Sequence, residues 1–123
     1  MNLVDSSGWL EYFADAKNAK YFAPAIENTK ELIVSTINIY EIYKKILVMR
    51  DENTALEAIA LMYQGKVIDV TSEISIEAAR LSAKNGIPMA DSLIYITARK
   101  NSAIIWTQDY DFKNLDGVKF IKK

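Results

Sequence analysis

The stretch Ala103-Ile104-Ile105-Trp106-Thr107-Gln108-Asp109-Tyr110-Asp111-Phe112 decides how the chain is read. Ala103 to Trp106 is its most apolar short run, and the β-branched pair at its centre predicts a buried strand. The strand ends abruptly in a hydroxyl, an amide and two acids. Immediately upstream, Pro88 opens a helix at a position proline tolerates. That helix carries Asp91, Leu93, Ile94, Ile96 and Ala98.

The same alternation runs outward to both ends. Leu3-Val4 starts an extended segment ending at Asp5, and Ser6, Ser7 and Gly8 supply N-cap chemistry for a helix through Trp9, Leu10, Tyr12 and Phe13. Leu32-Ile33-Val34 predicts a second strand, capped by Ser35 and Thr36 into a helix with Ile39, Ile42, Tyr43 and Ile46 at helical spacing. Thr54-Ala55-Leu56-Glu57 has the form of a capping box opening a helix to Tyr63, stopped by Gly65. Val67-Ile68-Asp69-Val70 predicts a third strand, Thr71 to Lys84 a helix ended by Gly86, and Val118-Lys119-Phe120-Ile121 a weak edge strand. Strands alternating with helices predict an α/β domain with a mostly parallel sheet of four or five strands. Right-handed crossovers would cover both of its faces with helices.

At 123 residues the chain fits one domain, residues 1–123, without internal repeats or linkers. The absence of cysteine excludes disulfides and thiolate metal sites. Histidine is absent too, which excludes imidazole general acid–base chemistry, histidine-based triads and histidine-ligated metals. No apolar run approaches the roughly 18 residues of a membrane span. Met1 to Asp5 lacks the basic start of a signal peptide. The expectation is a cytoplasmic protein that does not enter the membrane.

In open parallel sheets, ligands bind beyond the carboxyl ends of the strands, where strand order reverses. The residues there are Asp5, Ser6 and Ser7 after the first strand, and Ser35 and Thr36 after the second, with Glu41 in the helix that follows. Thr107, Gln108, Asp109 and Asp111 follow the fourth, and Asp91 lies in the first turn of the helix feeding it. If the first and fourth strands are neighbours, these carboxylates converge. Crowded carboxylates cannot all ionise without a cation. A hard divalent ion with oxygen ligands resolves the conflict, and two such ions can clamp a phosphodiester displacement without any histidine. Each acid also has an ordinary account. Asp5 can cap a helix, Asp109 and Asp111 can serve a turn, Asp91 can answer a helix dipole, and Glu41 can lie on a solvated face. Asp69, inside a strand, reads as structural, and Tyr12, Phe13, Tyr40, Tyr43 and Tyr95 read as core or interface.

Leu3-Val4-Asp5-Ser6-Ser7 with Trp9 and Phe13, Ile39-Tyr40-Glu41-Ile42, Ala90-Asp91-Ser92-Leu93-Ile94 and Trp106 to Phe112 together resemble the PIN domain, a three-layer α/β/α fold. They are most similar to the toxins of VapBC toxin–antitoxin pairs. The resemblance covers nearly the whole chain. It departs after Asp91, where the family often has small residues and this chain has Tyr95, Ile96 and Thr97. It implies a Mg²⁺- or Mn²⁺-dependent endoribonuclease in which Asp5, Glu41, Asp91 and Asp109 match the metal-holding acidic quartet. Ser6 and Thr107 match flanking hydroxyls that support ligands or orient water, and Asp111 matches an outer acid. A homodimer is implied, inhibited by an antitoxin whose C-terminal segment lies across the active-site groove.

The formal charge is −1, from 15 basic and 16 acidic residues. Removing the four quartet acids leaves twelve against 15 bases, a balance of +3 suited to a polyanion such as RNA. Lys44, Lys45, Arg50, Arg99, Lys100 and Lys113 are the candidate phosphate contacts. The expected reaction is hydrolysis by metal-activated water, leaving a 5′-phosphate and a 3′-hydroxyl. The rival readings are an aspartate-based phosphatase, which needs an Asp-x-Asp pair where this chain has Asp5-Ser6-Ser7, a phospho-accepting receiver domain, and a catalytically silent PIN interaction module.

Overall fold

A computed structural model describes residues 1–123. In chain order the elements are β1 (Asn2–Val4), α1 (Ser6–Phe13), α2 (Ala19–Glu27), β2 (Leu32–Ser35), α3 (Thr36–Met49), α4 (Glu52–Met62), β3 (Lys66–Ile68), α5 (Ser72–Asn85), α6 (Met89–Lys100), β4 (Ile104–Thr107) and β5 (Val118–Phe120). Single 3₁₀ turns occupy Thr29–Glu31 and Tyr110–Phe112. The five strands form one sheet in the order β3-β2-β1-β4-β5, and every pair is parallel. Strand order reverses beside β1, and Val4 pairs with Trp106, so the ends of β1 and β4 lie side by side.

The strands alternate faces residue by residue, and this divides the core in two. Val4, Leu32 and Val34 pack on one face with Trp9, Phe22, Ile42, Ile59 and Met62, under α1 to α4. Leu3, Ile33 and Ile105 pack on the other with Ile94, Tyr95, Ala98 and Phe112, under α6. Leu81 of α5 packs against this second cluster. This is the expected three-layer arrangement. No helix is long and apolar enough to cross a membrane.

Several boundaries differ from the sequence reading. Asp5, rather than the Ser6-Ser7-Gly8 run, is the N-cap of α1. Helix α4 begins before Thr54, because Asp51 is the stronger cap and its carboxylate accepts from the Thr54 amide at 2.7 Å. Pro88 is the N-cap of α6 rather than its first residue. Strand β3 stops at Ile68, so the exposed Asp69 follows the strand instead of lying within it. Two strand positions away from β1, it stands apart from the other acids. Helix α2 has no counterpart in the sequence reading, and it runs through Pro24, a residue that ordinarily breaks helices. It forms because Phe22, Ala25 and Ile26, at helical spacing, bury against β1 and α1. Tyr40 is exposed and takes no part in the core.

Gly8 fixes how closely α1 approaches the sheet. A Cβ there would stand 2.6 Å from Val4 Cγ1 and 2.7 Å from Phe22 Cδ1, both on fully buried side chains. Gly8→Ala therefore lowers the urea midpoint, with a stability loss of about 1–3 kcal/mol. An unchanged midpoint would show that α1 can shift away without cost.

Candidate active site

Asp5 lies where β1 gives way to α1. Its amide extends the sheet by donating to the Trp106 carbonyl at 3.1 Å, which fixes the residue beside β4. Its buried carboxylate accepts from the Ser7 hydroxyl at 2.7 Å and the Gly8 amide at 3.2 Å, and from the Thr107 hydroxyl. Burial raises its pKa to about 6, helped by the negative charge of Asp109 and opposed by those three donors. Helix capping and a place in an acidic site are thus both true of Asp5.

Thr107, fully buried at the end of β4, ties the two strand ends together. Besides its bond to Asp5, its oxygen accepts from the Asp109 amide at 2.8 Å. Asp109 then caps the 3₁₀ turn, accepting from the Asp111 amide at 2.9 Å. The turn brings Asp111 back toward Asp91 in the first turn of α6. One carboxylate oxygen from each of Asp91, Asp109 and Asp111 lies within 4.8 Å of the others. Burial pushes the Asp91 pKa up to about 8, with further contributions from a hydrogen bond to Asp111 and the charges of Asp109, Asp111 and Asp5. The N-terminal dipole of α6 does not offset this crowding.

Glu41 is held differently. Its Oε1 accepts from the Ser6 hydroxyl at 2.6 Å, and Ser6 in turn accepts from Asn38 Nδ2 at 3.1 Å. Asn38 is fully buried and locked by its other end, where Oδ1 accepts from the Ser35 amide at 3.1 Å in the capping box of α3. Glu41 therefore joins the aspartates through Ser6, the neighbour of Asp5, and not by direct contact.

The sequence reading placed Asp111 on the periphery, whereas its carboxylate stands among the three closest. Ser7 was named only as a strand-end and capping residue, without a role toward Asp5, and Asn38 was not singled out, although the Ser35-x-x-Asn38 capping pattern was visible. Ser7 occupies the second acid's place in an Asp-x-Asp pair and donates to Asp5 instead. Lys100 is bound to Glu73 and Glu77 on α5. With Arg99 it ends α6, at the far end of that helix from Asp91.

The chain's three ion pairs are the amino terminus with Glu31 and the two made by Lys100, so no lysine or arginine neutralises any of these five acids. The donor set is all oxygen, crowded and negatively charged, with the pKa values of Asp5 and Asp91 raised by burial and further by neighbouring carboxylates. It fits a hard divalent cation of the Mg²⁺ or Mn²⁺ type.

A family model for the PIN domain matches residues 3–118. Among solved structures, the chain is similar to a toxin–antitoxin complex from Klebsiella pneumoniae (TM-score 0.81, 19% identity, covering 97% of this chain and 96% of that one). It is also similar to VapC20 of Mycobacterium tuberculosis, described as a sarcin–ricin-loop-cleaving toxin (TM-score 0.80, 17% identity, 96% and 97%). A third is the DNA-bound VapBC of Salmonella typhimurium (TM-score 0.74, 15% identity, 99% and 98%). No curated protein matches the chain in sequence.

Proposed function

The chain belongs to the PIN-domain family, and on that premise we propose that it is a divalent-metal-dependent endoribonuclease, the toxin of a type II toxin–antitoxin pair acting in the cytoplasm. The observation that carries the reading is the cluster of Asp91, Asp109 and Asp111 beside Asp5, with no cationic side chain against it.

Asp5, Asp91, Asp109 and Glu41 would hold Mg²⁺ or Mn²⁺, with the Asp111 carboxylate within reach of the same ion. When bound, such a cation would lower the pKa of a water ligand and screen the scissile phosphate. Thr107 and Ser7 keep the Asp5 carboxylate ionised and aimed by donating to it. Ser6 aims the Glu41 carboxylate by donating to it. Water attacks phosphorus in line, the bond to the 3′-oxygen breaks, and the products end in a 5′-phosphate and a 3′-hydroxyl. Activation of the 2′-hydroxyl by an imidazole is unavailable in a chain without histidine.

A groove on this chain supports the proposed antitoxin partner. A groove of about 420 Å³ opens beside Ser7, lined by Leu10, Phe13, Ile46 and Met49, with Lys45 and Arg50 also lining it. That chemistry suits an amphipathic acidic segment. The neighbours' descriptions as toxin–antitoxin complexes support such a partner. The active unit is a homodimer.

Purified chain should cut RNA with Mg²⁺ or Mn²⁺ and lose the activity in EDTA. Undiminished cleavage in EDTA refutes the mechanism, and 2′,3′-cyclic phosphate ends refute water as the nucleophile. Ser6→Ala should reduce metal-dependent cleavage about 10- to 100-fold, the usual loss when the partner that orients a ligand is removed. Steady-state rates at several metal concentrations would check this. Wild-type rates in the folded variant would mean that Glu41 needs no positioning.

A further inference from the structure

Beyond the acids, the same end of the sheet carries an aromatic and basic corner that the reaction described above does not use. Tyr110 lies between Asp109 and Asp111 in sequence and is 52% exposed. Its ring rests against Phe120, with centroids 5.0 Å apart and planes at 60°. Phe120 pairs in register with Thr107, the last residue of β4, so both rings stand at the carboxyl edge that carries the acids. Lys113 Nζ lies 5.6 Å from both ring centroids. It makes no ion pair. The surrounding segment from Lys113 to Lys123 holds four lysines and one acid, in a chain whose overall charge is −1.

An exposed aromatic ring steadied by a second ring, with an unpaired ammonium group beside it, is how proteins hold single-stranded nucleic acid. A base stacks on the ring and a phosphate meets the cation. A duplex, whose bases are already stacked on each other, offers no base to such a ring. We propose that Tyr110, Phe120 and Lys113 form the landing for an unpaired nucleotide next to the scissile phosphate. This rests on the reading of the site as a ribonuclease. Tyr110 is a substrate-binding residue in this account, and Phe120 positions it.

The test is binding of a fluorescent RNA hairpin and of the matching full duplex in Mg²⁺, with Asp91→Asn as the background so that nothing is cut. The background protein binds the hairpin more tightly than the duplex. Adding Tyr110→Ala weakens hairpin binding roughly 5- to 100-fold and leaves duplex binding unchanged, whereas Tyr110→Trp restores it. Lys113→Ala lowers the slope of log affinity against log salt by about 0.7, the release expected for one phosphate contact on a single strand. Equal hairpin affinity with and without the Tyr110 ring overturns the landing while leaving the ribonuclease reading standing, and assigns the corner to a protein partner. If the wild-type chain neither binds nor cuts RNA, the ribonuclease reading itself has failed and the landing with it.

Discussion

Asp91→Asn eliminates RNA cleavage, by at least about 10³-fold, the scale on which losing one preorganised electrostatic group is felt, and at the same time makes the metal-free protein more stable. The two effects have one cause. Asp91 is half buried beside Asp111 and Asp109, with Asp5 close by, and burial first, then the hydrogen bond to Asp111 and the neighbouring charges, push its pKa up to about 8, so its charged form is disfavoured in the folded chain. An amide of the same shape keeps the packing, removes the charge and still offers a hydrogen bond to Asp111. Solvent screening of a half-buried group discounts the gain to about 1 kcal/mol, or about 3–5 °C in melting temperature for a domain of this length. An ordinary structural aspartate in the first turn of a helix behaves oppositely, since its loss costs stability. Thermal denaturation in EDTA beside a cleavage assay separates the two. A variant that is both inactive and less stable would mean that Asp91 supports the fold and not a metal.

Stability should also depend on pH and metal in a linked way. The carboxyl groups of Asp5 and Asp91 titrate at 3.8 in the unfolded chain but at about 6 and about 8 in the folded one. Between those values the folded protein binds more protons than the unfolded, so stability falls as pH rises. The contribution of these two groups is full below pH 3.8, and is lost first through about 6 and then through about 8. Divalent metal reverses the trend, because it needs the deprotonated ligands. At a metal concentration a hundredfold above Kd the folded state gains about 2.7 kcal/mol. The rise in melting temperature on adding Mn²⁺ is therefore larger at pH 8 than at pH 6, and the Asp5→Asn, Asp91→Asn double variant loses most of it. A rise that ignores pH, or survives in the double variant, would place the metal elsewhere.

The sheet was legible because its strands follow a simple rule. Leu3 and Val4, or Ile33 and Val34, are apolar on both sides, and only a strand covered on both faces uses such pairs. The helix boundaries were less so. Asp51 and Thr54 both have capping chemistry, and position along the chain does not say which side chain turns back onto the amides. Pro24 concealed α2, whose existence depends on burying Phe22 against residues far away in sequence. The acids of the site were legible as types and positions. Their relations were not. Asp109 and Asp111 are two residues apart, and only the tight turn they share decides that both approach Asp91. Ser35 was legible as a cap, but not that its capping-box partner Asn38 holds Ser6 with its other end, which holds Glu41. An amide working at both ends carries no charge to draw notice.

The most direct test of the central claim is anomalous diffraction from crystals soaked in Mn²⁺. The account predicts manganese density bounded by the carboxylates of Asp5, Asp91 and Asp109. Manganese bound only elsewhere on the chain, or lysine or arginine side chains folded onto those oxygens in its place, would contradict it.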